Sequence, residues 1–287
     1  MNFPSIYTKE NIRIVHNLHY GWTGWTNEAC FPASSDAVVK QCAPLWFDDG
    51  LQLESCKIQQ NEIQCLFKAI PQVSPVFCCA RVKGRLQHAF RKNSSPIDFS
   101  RKIGFRSLGD NTREIVQKYI AGQAVKSDYI DPRFKEWLEK FNSKFERVNI
   151  AEPEQPSHGC YWYALHIVIV VKDRRFPMTL SHTFEKVRFT AIYISNEISC
   201  ELAEISVMPD HIHMALRGNI NLSPQDIALS FLNGLAYAMG SNACWSEEAY
   251  VGSFSEYAVS RISRSIGTSP MGTRNRPDWA CPSRAKM

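Results

Sequence analysis

The sequence predicts an α+β protein made of two tandem units, each built on an antiparallel sheet, and three observations lead there. Leu53–Phe67 (LESCKIQQNEIQCLF) is matched 149 positions on by Leu202–Leu216 (LAEISVMPDHIHMAL), and both place apolar residues at alternating positions, as half-buried strands do. The same offset lays Ser74-Pro75 over Ser223-Pro224, and each pair opens a helical run, SPVFCCARVKGRLQHAF and SPQDIALSFLNGLAYAM. His19–Thr26 (HYGWTGWT) and Tyr163–Val171 (YALHIVIVV) each read as the first strand of a unit. Residue identity between the copies is low, so matched spacing carries the inference of a tandem duplication.

Taken in order, the first strand at His19–Thr26 is followed by a helix and then by the strand-like Leu53–Phe67. Ser74 suits a helix N-cap and Pro75 the first turn, because proline has no N–H to leave unsatisfied there. A slip of one residue aligns Gly84 with Gly234 further along these helices. A long helical region is predicted from Asn111 to about Phe145. Asn149–Gly159 (NIAEPEQPSHG) is polar and proline-containing and reads as a linker. The apolar run Trp162–Val171 is too short to span a bilayer and reads as a buried strand. Beyond Gly267 the chain is rich in Ser, Pro, Gly and Arg, the composition of a disordered tail. The predicted organisation is 1–148 as one unit, 149–159 as linker, 160–266 as the second unit and 267–287 as tail.

Length and composition fit this division. The 287 residues, 44% hydrophobic, suffice for one large or two ordinary domains. The formal charge of +5 is compatible with a nucleic-acid partner without requiring one. The 10 cysteines include no C-x-x-C pair, and the chain has no apolar run of membrane-spanning length and no secretory leader pattern at Met1. A reduced, cytoplasmic protein whose cysteines serve as small core residues is the expectation.

His211-Ile212-His213 lies inside the second strand-like repeat. Residues two apart on a strand face the same side, so both imidazoles point together while Ile212 points into the opposite layer. That arrangement suits two nitrogen ligands on one cation. Pro209-Asp210 marks the turn into the strand. The full string, Ser206-Val-Met-Pro-Asp-His-Ile-His-Met-Ala-Leu216 followed by Ser223-Pro224, resembles the signature of the single-tyrosine HUH transposases of bacterial insertion sequences and their relatives associated with repetitive palindromes. The resemblance extends to the Tyr163 strand with its basic exit Lys172-Asp173-Arg174-Arg175. It implies a ferredoxin-like (RRM-like) fold for each unit.

Members of that family carry a tyrosine on a helix with a glutamine one turn later, following the histidine pair. Nothing after His213 fits, since no glutamine occurs beyond Gln225. The matching string stands in the first half instead: Arg106-Ser-Leu-Gly-Asp-Asn-Thr-Arg-Glu-Ile-Val-Gln-Lys-Tyr119-Ile-Ala-Gly-Gln123. Asn111 is the expected cap of this helix, with Glu114 completing a capping-box-like start. Tyr119 and Gln123, four apart, share one helix face. Glu62-Ile63-Gln64 occupies the place of the histidine pair in the first unit, so each half lacks what the other retains. The family acts as homodimers in which one subunit's tyrosine helix can complete the other's histidine site. This chain resembles such a dimer fused into a single polypeptide, with a monomer as the expected state: a pseudo-dimer with one composite site.

The resemblance implies a metal-dependent single-stranded DNA endonuclease and strand transferase acting at hairpin ends. His211, His213 and the Gln123 oxygen would hold a divalent ion, Mg²⁺ or Mn²⁺ by family analogy, although the ligand types alone also permit zinc or nickel. Tyr119 would form a 5′-phosphotyrosine. Arg81, Lys83 and Arg85 on the first Ser-Pro helix and Lys172, Arg174 and Arg175 after the second unit's strand are candidate phosphate contacts. Trp22, Trp25 and Trp245 are candidate stacking surfaces for extruded bases. A nucleoid-associated bacterial protein is implied. The alternatives are a catalytically inactive or domesticated hairpin-binding protein, and an unrelated metal-dependent hydrolase that uses water and leaves Tyr119 and Gln123 without a role.

Overall fold

The structure is a computed structural model and describes residues 5–126, 131–156, 158–175, 178, 180–240 and 243–259. The first unit runs β2 (His19–Thr26), α1 (Ser35–Asp48), β3 (Leu51–Gln59), β4 (Glu62–Ala69), α2 (Pro75–Lys92) and β5 (Phe99–Leu108). The second runs β8 (Ala164–Val171), α6 (Ser181–Glu197), β9 (Glu201–Val207), β10 (His211–Arg217), α7 (Pro224–Ala238) and β11 (Trp245–Ser253). Each is a βαββαβ unit. The four strands of the first are ordered β3-β4-β2-β5 and those of the second β9-β10-β8-β11, antiparallel throughout, which is the ferredoxin-like arrangement.

Local chemistry sets the two corresponding helix starts. The Ser74 hydroxyl accepts from the Phe77 N–H at 3.2 Å, and Pro75 fills the first helical position. Ser223 does the same for Asp226 at 3.2 Å, and the Asp226 side chain returns a bond to the Ser223 N–H, completing a capping box. Between β3 and β4 the chain reverses at Gln60, whose φ of 47° opens the tight turn.

Two further strands exchange between the sheets. β1 (Arg13–Asn17) immediately precedes β2 yet pairs in parallel with β11 of the second sheet. β7 (Gly159–Trp162) immediately precedes β8 yet pairs in parallel with β5 of the first. The four-stranded core of each sheet is antiparallel, as expected, and each sheet gains one parallel strand at an edge. The strand predicted at Trp162–Val171 is broken at Tyr163, where the chain passes from one sheet to the other.

The contacts between the units come in matched pairs. The Ser107 hydroxyl accepts from the Ala164 N–H at 2.9 Å and donates to Phe254 O at 3.1 Å. Ser253 accepts from the His19 N–H at 2.9 Å and donates to Leu108 O. Val76 N–H donates to Ile220 O, and Gln225 N–H to Pro71 O. Arg113 N–H donates to Ser255 O, and Val259 N–H to Gly109 O. Swapping the units converts each of these bonds into its counterpart.

Both helical layers join one apolar core. α1 and α2 lie over Trp22, Phe67 and Phe105, while α6 and α7 lie over Ile167, Ile212 and Met214, with Tyr20 against Tyr163 at the junction (ring centroids 6.5 Å). Trp22 and Trp245 are fully buried, which removes both as stacking surfaces for bases. Trp25 is half-buried and donates to Glu62 at 2.9 Å.

The region predicted as one long helix is broken into α3 (Arg113–Ala121), α4 (Gln123–Lys126), α5 (Pro132–Glu139) and β6 (Asn142–Lys144), which pairs with β9. Asp131 caps α5 and Pro132 opens it, so helix cannot run through. Thr112, not Asn111, is the N-cap residue of α3, and its side chain makes no capping bond. Residues 149–156 are held down: Ile150 is buried, and the Trp162 indole donates to Ala151 O at 2.9 Å. The predicted tail, 267–287, lies outside the described residues. Among the described residues no helix is long and apolar enough to cross a membrane.

Candidate metal and nucleophile site

The histidines sit where strand alternation places them. Cross-strand partners share a face, so His211, His213 and Ala215 on β10 stand beside His166 and Val168 on β8 and beside Glu204 and Ser206 on β9. Ile212 faces the helical core and is fully buried. The opposite face is covered by α3, which comes from the first unit. Its Val116 and Ile120 pack on Ala164, Ala203, Ala215 and Phe254.

This packing brings Tyr119 to the histidines. Its ring meets His213 edge-on, with centroids 5.2 Å apart and planes at 83°, and lies 6.1 Å from His166. Tyr119 is 41% exposed, so a substrate can reach it. Gln123 begins α4 one turn on and is buried, and its Nε2 donates to Tyr119 O at 2.8 Å. That bond turns the amide nitrogen back onto the preceding turn of helix.

Four ties hold α3 in place. Arg113 and the buried Arg106 both pair with Glu256, at 3.2 and 2.7 Å. The Arg113 N–H reaches Ser255 O at 2.6 Å. Gln117 hydrogen-bonds Glu204. Asn142 donates to Ala121 O at 3.2 Å and accepts from the Ser206 hydroxyl at 2.6 Å. The helix is thus anchored at its start, middle and end by residues from both units.

Each imidazole of the H-x-H pair has its Nδ1 engaged. His211 Nδ1 lies 2.6 Å from Asp210 Oδ1, and Arg174 meets the other Asp210 oxygen at 3.0 Å. Burial raises the Asp210 carboxyl, but the hydrogen bonds from His211 and Arg174 outweigh it and hold the group below its ordinary value. His213 Nδ1 lies 3.1 Å from His166 Nε2, with the two rings nearly parallel at 18°. Burial, then the proximity of His166, His211 and Arg174, drives His213 down to about 2, and burial drives His166 down to about 4. Both rings are neutral at physiological pH, the form in which imidazole ligates a metal.

The cationic residues divide. Lys172, Arg174 and Arg175 form and follow a 3₁₀ turn (Lys172–Arg174) at the end of β8, beside the histidines, since the Val171 N–H donates to Asp210 O at 2.7 Å. Arg81, Lys83 and Arg85 are not brought to the histidine face. They ride on α2, in the helical layer of the first sheet. Arg85 and Arg81 pair with Asp49 at 3.1 and 3.6 Å, and Lys83 donates to Ser100 O.

His166, Asp210, Glu204, Asn142 and Tyr250 belong to this site and were not read from the sequence as functional. A signal existed for His166: it is the one polar residue in the apolar strand Ala164–Val171, at a position that alternation puts on the histidine face. In the first sheet, Glu62 and Gln64 hold the places of the histidines. The Gln64 amide donates to Glu62, so those positions are bonded to each other.

Residues 160–268 match the family described as "Transposase IS200 like". Several solved structures resemble part of the chain, and two illustrate the likeness. One is titled "Crystal structure of a putative transposase from deinococcus radiodurans r1"; it is 19% identical, covers 36% of this chain and 88% of its own, and has a TM-score of 0.31. The other is a REP-associated tyrosine transposase bound to a REP hairpin, 13% identical, covering 43% of this chain and 68% of its own, with a TM-score of 0.30. No curated protein matches the chain.

Proposed function

We propose, on the premise that residues 160–268 are a unit of the IS200-like transposase family, that the whole chain is a fused pseudo-dimer which cuts and rejoins single-stranded DNA at one composite site. The observation that carries this reading is the edge-on contact of the Tyr119 ring with His213, 5.2 Å between centroids, made by a helix of the first unit on a strand of the second. The exchanged strands β1 and β7 and the matched pairs of inter-unit bonds support the pseudo-dimer.

The residues present fit a divalent ion. Asp210 can only accept, so His211 carries its proton on Nδ1 and offers Nε2. His213 has Nε2 to offer in the same way, and the buried Gln123 amide has an oxygen remaining. The Gln123 amide oxygen is the proposed third donor. A bound Mg²⁺ or Mn²⁺ would supply Lewis-acid stabilisation of charge on the scissile phosphate.

The protein's own groups do the rest. The Tyr119 oxygen attacks phosphorus, the phosphotyrosine bond forms, and the bond to the 3′ oxygen breaks. The phenol proton is lost as the departing oxygen gains one and becomes a free 3′-hydroxyl. The four ties on α3 hold the phenol in position, which lowers the entropic part of the barrier. The covalent link conserves the phosphodiester energy, so a 3′-hydroxyl can reverse the step without ATP. Lys172, Arg174 and Arg175, beside His211, are placed to bind the phosphates of a single strand or hairpin end.

Labelled hairpin-containing single-stranded DNA with Mn²⁺, run on a denaturing gel, tests this. One covalent adduct per chain is expected, at Tyr119 by mass spectrometry. Tyr119→Phe should abolish it while leaving the native-gel shift intact. Two adducts, or an adduct on Tyr250 or Tyr257, the tyrosines downstream of the histidine pair, would reject the single composite site. A shift without adduct would favour a hairpin-binding protein, and cleavage without adduct a hydrolase.

A further inference from the structure

We propose that His166 is a positioning residue, accepting the Nδ1 proton of His213 and so turning the free Nε2 of His213 toward the cation. The proposal rests on the metal-site reading above. It starts from proton counting. His166 Nε2 and His213 Nδ1 face each other at 3.1 Å, so one of them carries the hydrogen and the other the lone pair. If His166 donates, a neutral His213 must carry its own proton on Nε2 and presents an N–H, which cannot ligate. If His213 donates, its Nε2 presents a lone pair. Only the second arrangement matches His211, whose acceptor, the Asp210 carboxylate, enforces the same tautomer.

The surroundings fix the His166 ring. β8 is central in its sheet, with β10 on one side and β11 on the other. The His166 ring lies nearly parallel to that of His213, with centroids 5.3 Å apart. Tyr119 and Tyr250 meet it edge-on at 6.1 and 5.9 Å. Gly252 is the β11 partner of His166, and a Cβ there would come within 2.5 Å of the Tyr250 hydroxyl. The missing side chain is what lets Tyr250 lean over His166. The ring is therefore packed on several sides and reaches the site through one nitrogen. In zinc enzymes a carboxylate or carbonyl commonly orients a ligating imidazole, and here a second imidazole would fill that place.

Two measurements on the full chain test the proposal. Long-range ¹⁵N–¹H spectra of the metal-free protein should show His213 protonated at Nδ1 and His166 unprotonated at Nε2. Titration with Mn²⁺ alone, followed by calorimetry, should show His166→Leu binding roughly 10- to 100-fold more weakly than wild type. His166→Gln, which keeps an acceptor, should stay within a few-fold. A His213 proton on Nε2, or equal Mn²⁺ affinity in His166→Leu, would overturn the proposal. If the wild type binds no Mn²⁺, the metal centre itself fails, and the tautomer spectrum still decides the role of His166.

Discussion

Glu204 shows how far a single residue on the histidine face departs from what water would allow. It is buried beside α3, takes a hydrogen bond from Gln117, and has one carboxylate oxygen without a hydrogen-bond partner. Burial raises its titration above the ordinary 4.5, although Lys144 and Gln117 pull the other way. A carboxyl raised in the folded state costs stability once the unfolded chain ionises, and that cost grows as pH rises from 4.5 to the folded value, then stays constant. Glu204→Gln removes the charge and keeps the shape. It should be more stable than wild type at pH 7, and the difference should vanish at pH 4. Thermal melts at the two values check this; a variant less stable at pH 7 would show that the ionised carboxylate holds α3 in place. His166 left a signal, as the one polar residue of an apolar strand, but that signal alone reads as a core histidine until the neighbouring strand is known.

At the scale of elements, the corresponding helices α2 and α7 begin alike but are not equally secured. Ser223 makes the full capping box with Asp226, and Asp226 also pairs with Lys9 at 2.7 Å. Ser74 makes only the forward bond. Ser223→Ala should therefore cost about 1 kcal/mol or more of unfolding free energy, the upper part of the usual range for a lost cap, and Ser74→Ala less. Urea denaturation of the two variants measures the order, and equal losses would contradict it. These starts, the H-x-H strand and the tyrosine helix were legible because each rests on a few adjacent residues with a local job. The closing strands β5 and β11 were not. In β5 the charges Arg101, Lys102 and Arg106 interrupt the apolar alternation, and Arg106 is buried only because Glu256, Trp162 and Tyr257 surround it. Those partners come from elsewhere in the fold, so no window of sequence contains the reason. The break of the predicted long helix at Asp131-Pro132 has a local cause in the sequence, since proline opens a helix and does not continue one. The edge pairings of β1 and β7 could not be read locally, since each strand bonds to the unit in which it does not lie in sequence.

For the whole molecule, that exchange sets how the protein folds. Strand β1 belongs to the first unit's sequence and completes the edge of the second unit's sheet, and β7 does the reverse. Helix α3 covers the histidine face of the second sheet, while Val259, from the second unit, packs on Leu66 and Leu108 of the first. Separating the halves would therefore expose the edge of β11, the edge of β5 and an apolar patch on each sheet, all at once. Bare edges and apolar patches of this kind drive aggregation. Fragments 1–156 and 158–287 should each fail to fold alone and should regain structure when mixed. In the intact chain, native-state hydrogen exchange should give amides of β2 and β8 the same opening free energy, because neither sheet can open while the other stays closed. A cooperative melt from either fragment alone, or separate opening energies for the two central strands, would show two independent domains. In that case the geometry joining Tyr119 to His213 would rest on a loose interface, and the composite site would assemble only part of the time.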